Sequence, residues 1–396
     1  MQTIVKAVDS ADFLSLIPSL AGFTPRDSLV VVPFRRNRTV GLMRFDLPHR
    51  LDPVETDQVA STLVGTLCRI DGVDGAVIVV YTDERATDAG GRGAPESSAF
   101  PAAALVDAML TSFDTCGIAT VDALGHGADG WWSFLEPEAG IRPRDEIAER
   151  ARHVPQVSEP PAADQWSGAA LPVVDPAARK SVARALAAID KLIGEWSAAA
   201  ERIIASQGSG LRTADALLDA LDDARHANPD WAFITETTAF IEQTFALDPS
   251  ELEARDLARL GWLLARPSMR DVALLQWCDG RAAGERALDA QHAWEDGEPY
   301  PALGAARFFG EGPKPDPDRL ARALALVRHV AAHLPRRERP GALAAAGWLA
   351  WARGSSTHAT RYAAAALRID PSHGLSQIIA TLTANGHLPE WGFSDT

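Results

Sequence analysis

Three arginines stand close together at positions 35, 36 and 38 of the chain. They separate two apolar runs, so Arg35, Arg36 and Arg38 are expected at the tip of a hairpin. Guanidinium groups bind carboxylates and phosphates through paired hydrogen bonds, which makes the three side chains candidate contacts to an anion or to an acidic partner. The alternative is a cluster that simply faces solvent, as charged groups at turns often do.

A second set of polar residues follows an apolar run at residues 76–81. The run ends at Thr82 and Asp83, and α/β sheets bind ligands beyond the carboxyl ends of their strands. If the strand order reverses at this point, Thr82 and Asp83 would rim a pocket, with Arg44 and Asp46 on a neighbouring strand. This small-ligand site rests on analogy with other α/β folds, because no specific motif marks it.

Residues 125–130 read Gly-His-Gly-Ala-Asp-Gly, which satisfies the G-x-G-x-x-G pattern of dinucleotide-binding proteins. That fingerprint must open a helix, because the amino terminus of the helix binds the pyrophosphate. Here Trp131, Trp132 and Phe134 continue as a strand instead. The glycines therefore predict a hairpin loop, and we expect no cofactor.

His329 and His333 are four residues apart on a predicted helix and could both face one metal ion. Val330 stands where the metalloprotease motif H-E-x-x-H has its glutamate, and no third ligand is apparent. We therefore expect two solvent-facing histidines and no metal. The sequence also contains no G-x-S-x-G elbow and no Walker lysine loop, which argues against an enzyme without excluding one.

Composition restricts the partners and the compartment. The 396-residue chain holds 53 acidic and 38 basic residues, a formal net charge of -15, which opposes binding to nucleic acid or to an anionic membrane. Cys68, Cys116 and Cys278 have no spacing that suits zinc or a disulfide framework, which favours a reducing compartment. No signal-peptide core or membrane-length apolar run is apparent, so we expect a cytoplasmic protein.

The length of the chain predicts two domains. Residues 1–150 alternate apolar, valine-rich runs with helical patterns, one of which starts at an aspartate cap, Asp52, followed by a proline. This alternation predicts an α/β domain built on a mixed sheet. The expected strands are residues 3–7, 29–34, 40–45, 76–81, 118–124 and 131–134. Residues 84–99, rich in glycine and charge, are expected to be a mobile loop.

Residues 151–176 contain five prolines, which predicts a linker or an extended arm. From residue 177 to residue 396 apolar residues recur at steps of three and four, so this domain is expected to be all-α. Within it, residues 340–385 place small residues and a proline at the offsets of a tetratricopeptide-like helical pair. These residues are Gly347, Gly354, Ala359, Ala363, Ala366 and Pro371.

Several stretches resemble a known family. GFTPRDSLVVV at residues 22–32 and MRFDLP at residues 43–48 are similar to the opening signature of the actinobacterial "domain of unknown function" family 4192. Residues 269–271 resemble its middle, and WLAWARG with ALRIDPSHGLSQII resembles its C-terminal end. The resemblance spans nearly the whole chain and implies the fold of that family. It implies no catalytic residues, because the family has no assigned activity.

Two hypotheses of function from different classes follow. We favour a non-enzymatic cytoplasmic protein that joins an α/β domain to a helical-repeat domain and binds another protein, which is the usual role of helical repeats. The alternative is a small-ligand sensor or an enzyme with its site at the carboxyl edge of the N-terminal sheet. A deep pocket with convergent polar groups would favour the alternative, whereas an exposed groove along the helical pairs would favour the first.

Overall fold

The structure is a computed structural model that describes residues 7–86, 100–152, 161–207 and 211–393. The chain divides into two compact units. The first holds Met1–Gly168 with Phe393–Asp395, and the second holds Ala169–Gly392 with Thr396. The predicted strand at residues 3–7 and the predicted loop at residues 84–99 lie largely outside the described residues.

The first unit is built on a six-stranded mixed sheet, which confirms the predicted α/β class. Strand β1 pairs antiparallel with β2 and β3 along one side and with β4 along the other. Strands β4 and β5 are parallel, and β6 closes the sheet antiparallel to β5. The strands are β1 (Ser28–Arg35), β2 (Arg38–Thr39), β3 (Met43–Asp46), β4 (Gly75–Tyr81), β5 (Ala119–His126) and β6 (Trp131–Ser133).

Helices cover both faces of the sheet. Those whose bounds lie within the described residues are α1 (Ser10–Ala21), α2 (Pro53–Leu67), α3 (Ala103–Cys116) and α4 (Arg144–Ala151). Helices α2 and α3 pack on one face with Leu29, Ile78 and Val80, while α1 packs on the other with Val30 and Val79. Because both faces are covered, every residue of β4 is buried, which explains its unbroken apolar sequence. Asp52 and Glu55 form a capping box at the start of α2, as the sequence predicts.

Of the predicted partner strand at residues 40–45, only residues 43–45 are a strand, in β3. The two residues of β2, Arg38 and Thr39, pair with β1 before the predicted start. Between β2 and β3 the Thr39 hydroxyl donates to the Gly41 carbonyl at 2.7 Å and accepts from the Gly41 N–H at 3.3 Å. A side chain that hydrogen-bonds the backbone two residues on offers the chain an alternative to the sheet ladder, so the pairing is interrupted here.

The proline-rich segment is described from residue 161 onward. Ala162 forms an isolated parallel bridge with Phe23. The amide of Gln165 accepts from the Arg26 N–H at 3.1 Å and donates to the Arg26 carbonyl at 2.9 Å. Residues 161–168 therefore pack against the first unit, but after Ala162 they form bends, a turn and the start of a 3-10 helix (Ser167–Ala169) instead of an extended chain.

The second unit is helical, as predicted. Its first helix begins at Pro176, where Asp175 accepts from the Ala177 N–H at 2.8 Å. The helices are α5 (Pro176–Gln207), α6 (Leu211–Ala227), α7 (Ala232–Thr235), α8 (Thr237–Ala246), α9 (Ala254–Leu264), α10 (Pro267–Asp279), α11 (Arg281–Glu295), α12 (Ala302–Phe308), α13 (Pro317–His333), α14 (Pro340–Ala352), α15 (Ser356–Leu367) and α16 (Gly374–Ala384). No helix among the described residues is long and apolar enough to cross a membrane.

Helices α14, α15 and α16 occupy the stretch predicted as a tetratricopeptide-like pair. A methyl group on Gly347 of α14 would lie 3.4 Å from the Ala359 carbonyl oxygen of α15, so the two helices do approach through small residues. Every residue of α14 is buried, however, and it contacts α9, α10 and α13 as well as α15 and α16. A helix surrounded on all sides is typical of the centre of a bundle, so the repeat character remains a prediction from sequence spacing.

Candidate functional site

The predicted arginines meet at the turn that joins β1 to β2. Arg36 adopts a left-handed backbone with φ of 57°, a conformation that a residue with a Cβ atom rarely takes. The turn is held by Asp74, because both carboxylate oxygens of Asp74 accept from the Arg36 N–H at 2.8 Å. The Asp74 carboxylate therefore fixes the turn through the backbone.

Arg35 is held against the loop that precedes β4. Its Nη2 donates to the carbonyl oxygen of Asp71. Gly72 lies beneath the same side chain with φ of 68°, and a methyl group added there would lie 3.1 Å from Nε of Arg35. The left-handed backbone favours glycine at this position, and a larger residue would also push the Arg35 side chain aside by a few tenths of an ångström.

These residues line an open cleft of about 760 Å³, which we call the arginine cleft. Its lining residues are Arg35, Arg36, Asn37, Arg38, Gly72 and Asp74. Arg36 and Arg38 are exposed and, within the described part of the chain, form no ion pair. Arg36 and Arg38 are therefore the side chains of the arginine cleft that can accept an anion by bidentate hydrogen bonding.

Of the residues predicted to rim a small-ligand pocket, the structure brings Arg44 and Asp46 together but not Thr82 and Asp83. Arg44 donates from Nη2 to Asp46 at 2.5 Å and from Nε to the Ser28 hydroxyl at 2.8 Å. The Arg44 side chain is 9% exposed, whereas that of Asp46 is 85% exposed. Arg44 is therefore a largely buried charge that contacts the Asp46 carboxylate and the Ser28 hydroxyl, and the Asp46 carboxylate faces solvent.

Thr82 and Asp83 do not converge on this pair. Thr82 follows Tyr81, so alternation along the strand directs its side chain to the opposite face from that of Tyr81. The Thr82 hydroxyl accepts from the Glu84 N–H at 3.1 Å, and Asp83 is exposed.

The crossover helices show how the strand order runs at Thr82. Helices α2 and α3 pack against each other on one face, and their connections run the same way, from β3 to β4 and from β4 to β5. The strand order therefore does not reverse at β4, and this was the condition for a crevice there.

A different row of residues crosses the same edge of the sheet. Strand register places Ser28 opposite Asp46 and Tyr81, Tyr81 opposite His126, and His126 opposite Trp131. Directly opposed residues share one face, so these five side chains form a single row. The sequence-based prediction missed Ser28, Tyr81 and His126. The signal in the sequence was the strand–helix–strand order of β4, α3 and β5. Such an order predicts a parallel pair, whose carboxyl ends lie side by side, and His126 ends β5.

The row holds two neutral titratable rings. The ring centroids of Tyr81 and His126 are 5.2 Å apart. Burial, followed by the positive charge of Arg144, lowers the pKa of His126 to about 4. Burial also raises the pKa of Tyr81 well above its ordinary value. Both rings are therefore uncharged at neutral pH and can take part only in neutral hydrogen bonding.

The glycine pattern at residues 125–130 has a packing explanation. It lies in the hairpin between β5 and β6, as predicted, and opens no helix. A methyl group on Gly125 would overlap the indole of Trp132, and one on Gly127 would lie 2.8 Å from the same ring. The two glycines thus make room for a buried tryptophan.

The histidine pair on α13 differs from expectation. Only His329 is partly exposed; His333 is buried, and its Nδ1 lies 2.8 Å from the His329 carbonyl oxygen. The prediction that both face solvent is wrong for His333, because α13 packs against α9, α10 and α14. The ring centroids are 4.3 Å apart, and the described residues contain no group of three or more metal-ligating side chains.

The comparisons with known proteins agree with the sequence resemblance. Neither the curated proteins nor the solved structures contain a match to this chain. One family model, Domain of unknown function (DUF4192), matches residues 11–296 and 316–390, which is most of the chain and takes in both units. The protein therefore belongs to the DUF4192 family.

Proposed function

We propose that this protein is a protein-interaction module whose first unit binds an acidic segment of a partner protein in the arginine cleft. The observation that carries the proposal is the grouping of Arg35, Arg36 and Arg38 around one open cleft, with two of the three side chains exposed and without an ion pair among the described residues. Arginine is enriched where partners bind, because its planar group matches carboxylates.

The charge of the rest of the chain favours a short acidic segment over a long polyanion. The formal net charge is -15, so a nucleic acid extending beyond the cleft would be repelled by most of the surface. A glutamate- or aspartate-rich peptide could place its carboxylates in the cleft alone. An open cleft also suits a peptide better than a small molecule, which needs a concave pocket that removes most of its surface from water.

Fluorescence anisotropy with a labelled glutamate-rich peptide tests the proposal, with the glutamine-rich counterpart as the neutral probe. The double variant Arg36→Glu/Arg38→Glu should weaken binding by about tenfold or more, because two attractive charges become repulsive. Arg152→Glu/Arg212→Glu makes the same charge change at exposed arginines elsewhere and is the matched control. If both double variants lost the same amount of peptide affinity, the effect would be due to net charge alone, and specific binding in the arginine cleft would be refuted.

A small-ligand site at the carboxyl edge of the sheet is the second candidate. It is supported by the row from Asp46 to His126, which gathers an ion pair, a hydroxyl and two neutral rings. Thermal-shift measurements with ATP, citrate and inorganic phosphate test it. A ligand at about 100 times its Kd should add about 2.7 kcal/mol to the free energy of unfolding. A shift that His126→Gln abolishes would support this site, whereas no shift with any of the three would count against it for anionic metabolites.

A further inference from the structure

A small cleft of the second unit lies between α5, α9 and the loop that joins α13 to α14. We call it the α5–α9 cleft, and its volume is about 160 Å³. A protein cavity of about 150 Å³ can hold one benzene molecule, whereas drug-sized ligands occupy about 300 Å³ or more. The α5–α9 cleft therefore has room for a small metabolite but not for a nucleotide.

The lining of the α5–α9 cleft has an apolar part and a charged part. Leu186 and Ala187 of α5 and Trp262 of α9 are apolar, while Asp190 of α5 and Arg266, just after α9, are charged. Leu186 and Asp190 are four residues apart on one helix, so both parts of the lining lie on the same face of α5. A ligand in the cleft would therefore meet apolar surface and charge together.

The guanidinium group of Arg266 is held over the indole ring of Trp262. Its Cζ lies 3.2 Å from the ring centroid, and its Nη1 donates to the Trp262 carbonyl oxygen at 2.8 Å. Arg266 is half-buried, forms no ion pair among the described residues, and has Nε and Nη2 without an acceptor there. A carboxylate can bind such a group at low entropic cost, because its position is already set.

The indole N–H of Trp262 is a second donor without an acceptor. Trp262 is 8% exposed, and its Nε1 is buried with no hydrogen-bond partner in the part of the chain that the structure describes. A buried donor that stays unsatisfied costs free energy, and a bound molecule is one of the explanations for such a group. An acceptor oxygen in the cleft would remove this cost.

The unpaired charges of the lining are one positive and one negative group. Arg337 and Glu338 pair with each other at 2.9 Å. Asp190 is exposed and, like Arg266, forms no ion pair within the described ranges. A molecule that carries both a carboxylate and an ammonium group matches this arrangement, because each of its charges meets the opposite charge.

We propose that the α5–α9 cleft binds a free α-amino acid with a small apolar side chain. The carboxylate of the ligand accepts from Arg266 and from the Trp262 indole N–H, its ammonium group pairs with Asp190, and its side chain lies against Leu186 and Ala187. The site belongs to the second unit, whereas all residues that line the arginine cleft belong to the first. The two proposals can therefore be tested separately.

Isothermal titration calorimetry of the full-length chain with L-valine tests the proposal. L-Valinamide, which lacks the carboxylate, should bind at least about tenfold more weakly, because half-buried Arg266 is left without an anion. Isovalerate, which lacks the ammonium group, should bind about threefold or more weakly, since Asp190 is exposed and a surface ion pair contributes less. No binding of L-valine at millimolar concentration, or equal affinity for all three compounds, would overturn the proposal.

Two tryptophan variants test the place of binding. Ala187 is exposed at the cleft, so Ala187→Trp should fill the cleft and lower the affinity for L-valine at least about tenfold without entering the buried core. Ala188→Trp adds the same side chain at the next exposed residue of α5, which does not line the cleft, and should bind as the wild type does. Equal affinity of the two variants for L-valine would overturn the proposal.

Asp190→Asn tests the pairing with the ammonium group. This variant should bind L-valine about threefold or more weakly and should not weaken isovalerate, because only the ammonium group loses its partner. Arg36→Glu/Arg38→Glu should bind L-valine with wild-type affinity, since the arginine cleft is a different site. Equal weakening of L-valine and isovalerate by Asp190→Asn, or loss of L-valine binding in the arginine-cleft variant, would overturn the proposal.

Discussion

The backbone N–H of Arg36 lies 2.8 Å from both carboxylate oxygens of Asp74, so an aspartate just before β4 holds the tip of the β1–β2 hairpin. Loop and turn are thereby joined by a charge-assisted hydrogen bond, which is stronger than a neutral one. The exposed arginines owe their positions to this contact, since it supports the left-handed backbone of Arg36. Variants of Asp74 and of a nearby aspartate can distinguish the effect of losing this hydrogen bond from the effect of losing one negative charge.

Asp74→Ala should lower the free energy of unfolding by about 1–2 kcal/mol, because it removes a charge-assisted acceptor from a strained turn. Asp71→Ala is the matched control, since it removes the same charge from an exposed residue that contributes to the turn only through its backbone carbonyl. Urea unfolding should place the control within about 0.5 kcal/mol of the wild type. Equal losses in the two variants would show that Asp74 does not hold the turn.

Gly72→Ala should destabilise the chain by about 1–2 kcal/mol, because alanine is strained at a φ of 68° and its methyl group would press on Arg35. Gly65→Ala provides the opposite control. Gly65 lies within α2 with nothing within 4 Å of an added methyl group, so alanine there should stabilise the helix by about 0.5–1 kcal/mol. Denaturant midpoints that move in the same direction for both variants would contradict this account.

The free energy of unfolding should decrease as the pH is lowered from 6.5 to 4, because the pKa of His126 differs between the folded and the unfolded chain. The pKa of His126 is lowered from 6.5 to about 4 in the folded state, so over this interval the unfolded chain binds a proton that the folded chain does not. Stability therefore rises with pH across the interval and is lost on acidification, by about 3 kcal/mol from this group. The slope of unfolding free energy against pH should be shallower in His126→Gln than in the wild type. Identical slopes would contradict the lowered pKa.

The parts of the fold that followed from sequence were those set by local chemistry. Valine-rich runs gave the positions of β1 and β4, and Asp52 with its following proline located the start of α2. Such signals depend on residues adjacent in the chain. The interruption between β2 and β3 was not visible, because it arises from the hydrogen bonds that Thr39 forms with Gly41.

The parts that did not follow depend on packing between distant segments. His126 and Ser28 share a row only through the register of three strands, and the burial of His333 depends on helices far from it in sequence. Arg35, Arg36 and Arg38 were recognisable from their spacing alone, whereas the contributions of Gly72 and Asp74 to the cleft were not. The arginine cleft is formed by two segments that are distant in the sequence, residues 35–38 and the loop with Gly72 and Asp74, so the first segment alone does not predict it.

Titration of a labelled glutamate-rich peptide at low and at moderate salt measures whether the arginine cleft binds an acidic segment. The wild type and Arg152→Glu/Arg212→Glu should bind with similar Kd and should both weaken as salt rises. Arg36→Glu/Arg38→Glu should bind at least about tenfold more weakly while keeping the wild-type circular dichroism spectrum. Equal binding of the peptide by all three proteins, or tighter binding by the cleft variant, would contradict the account.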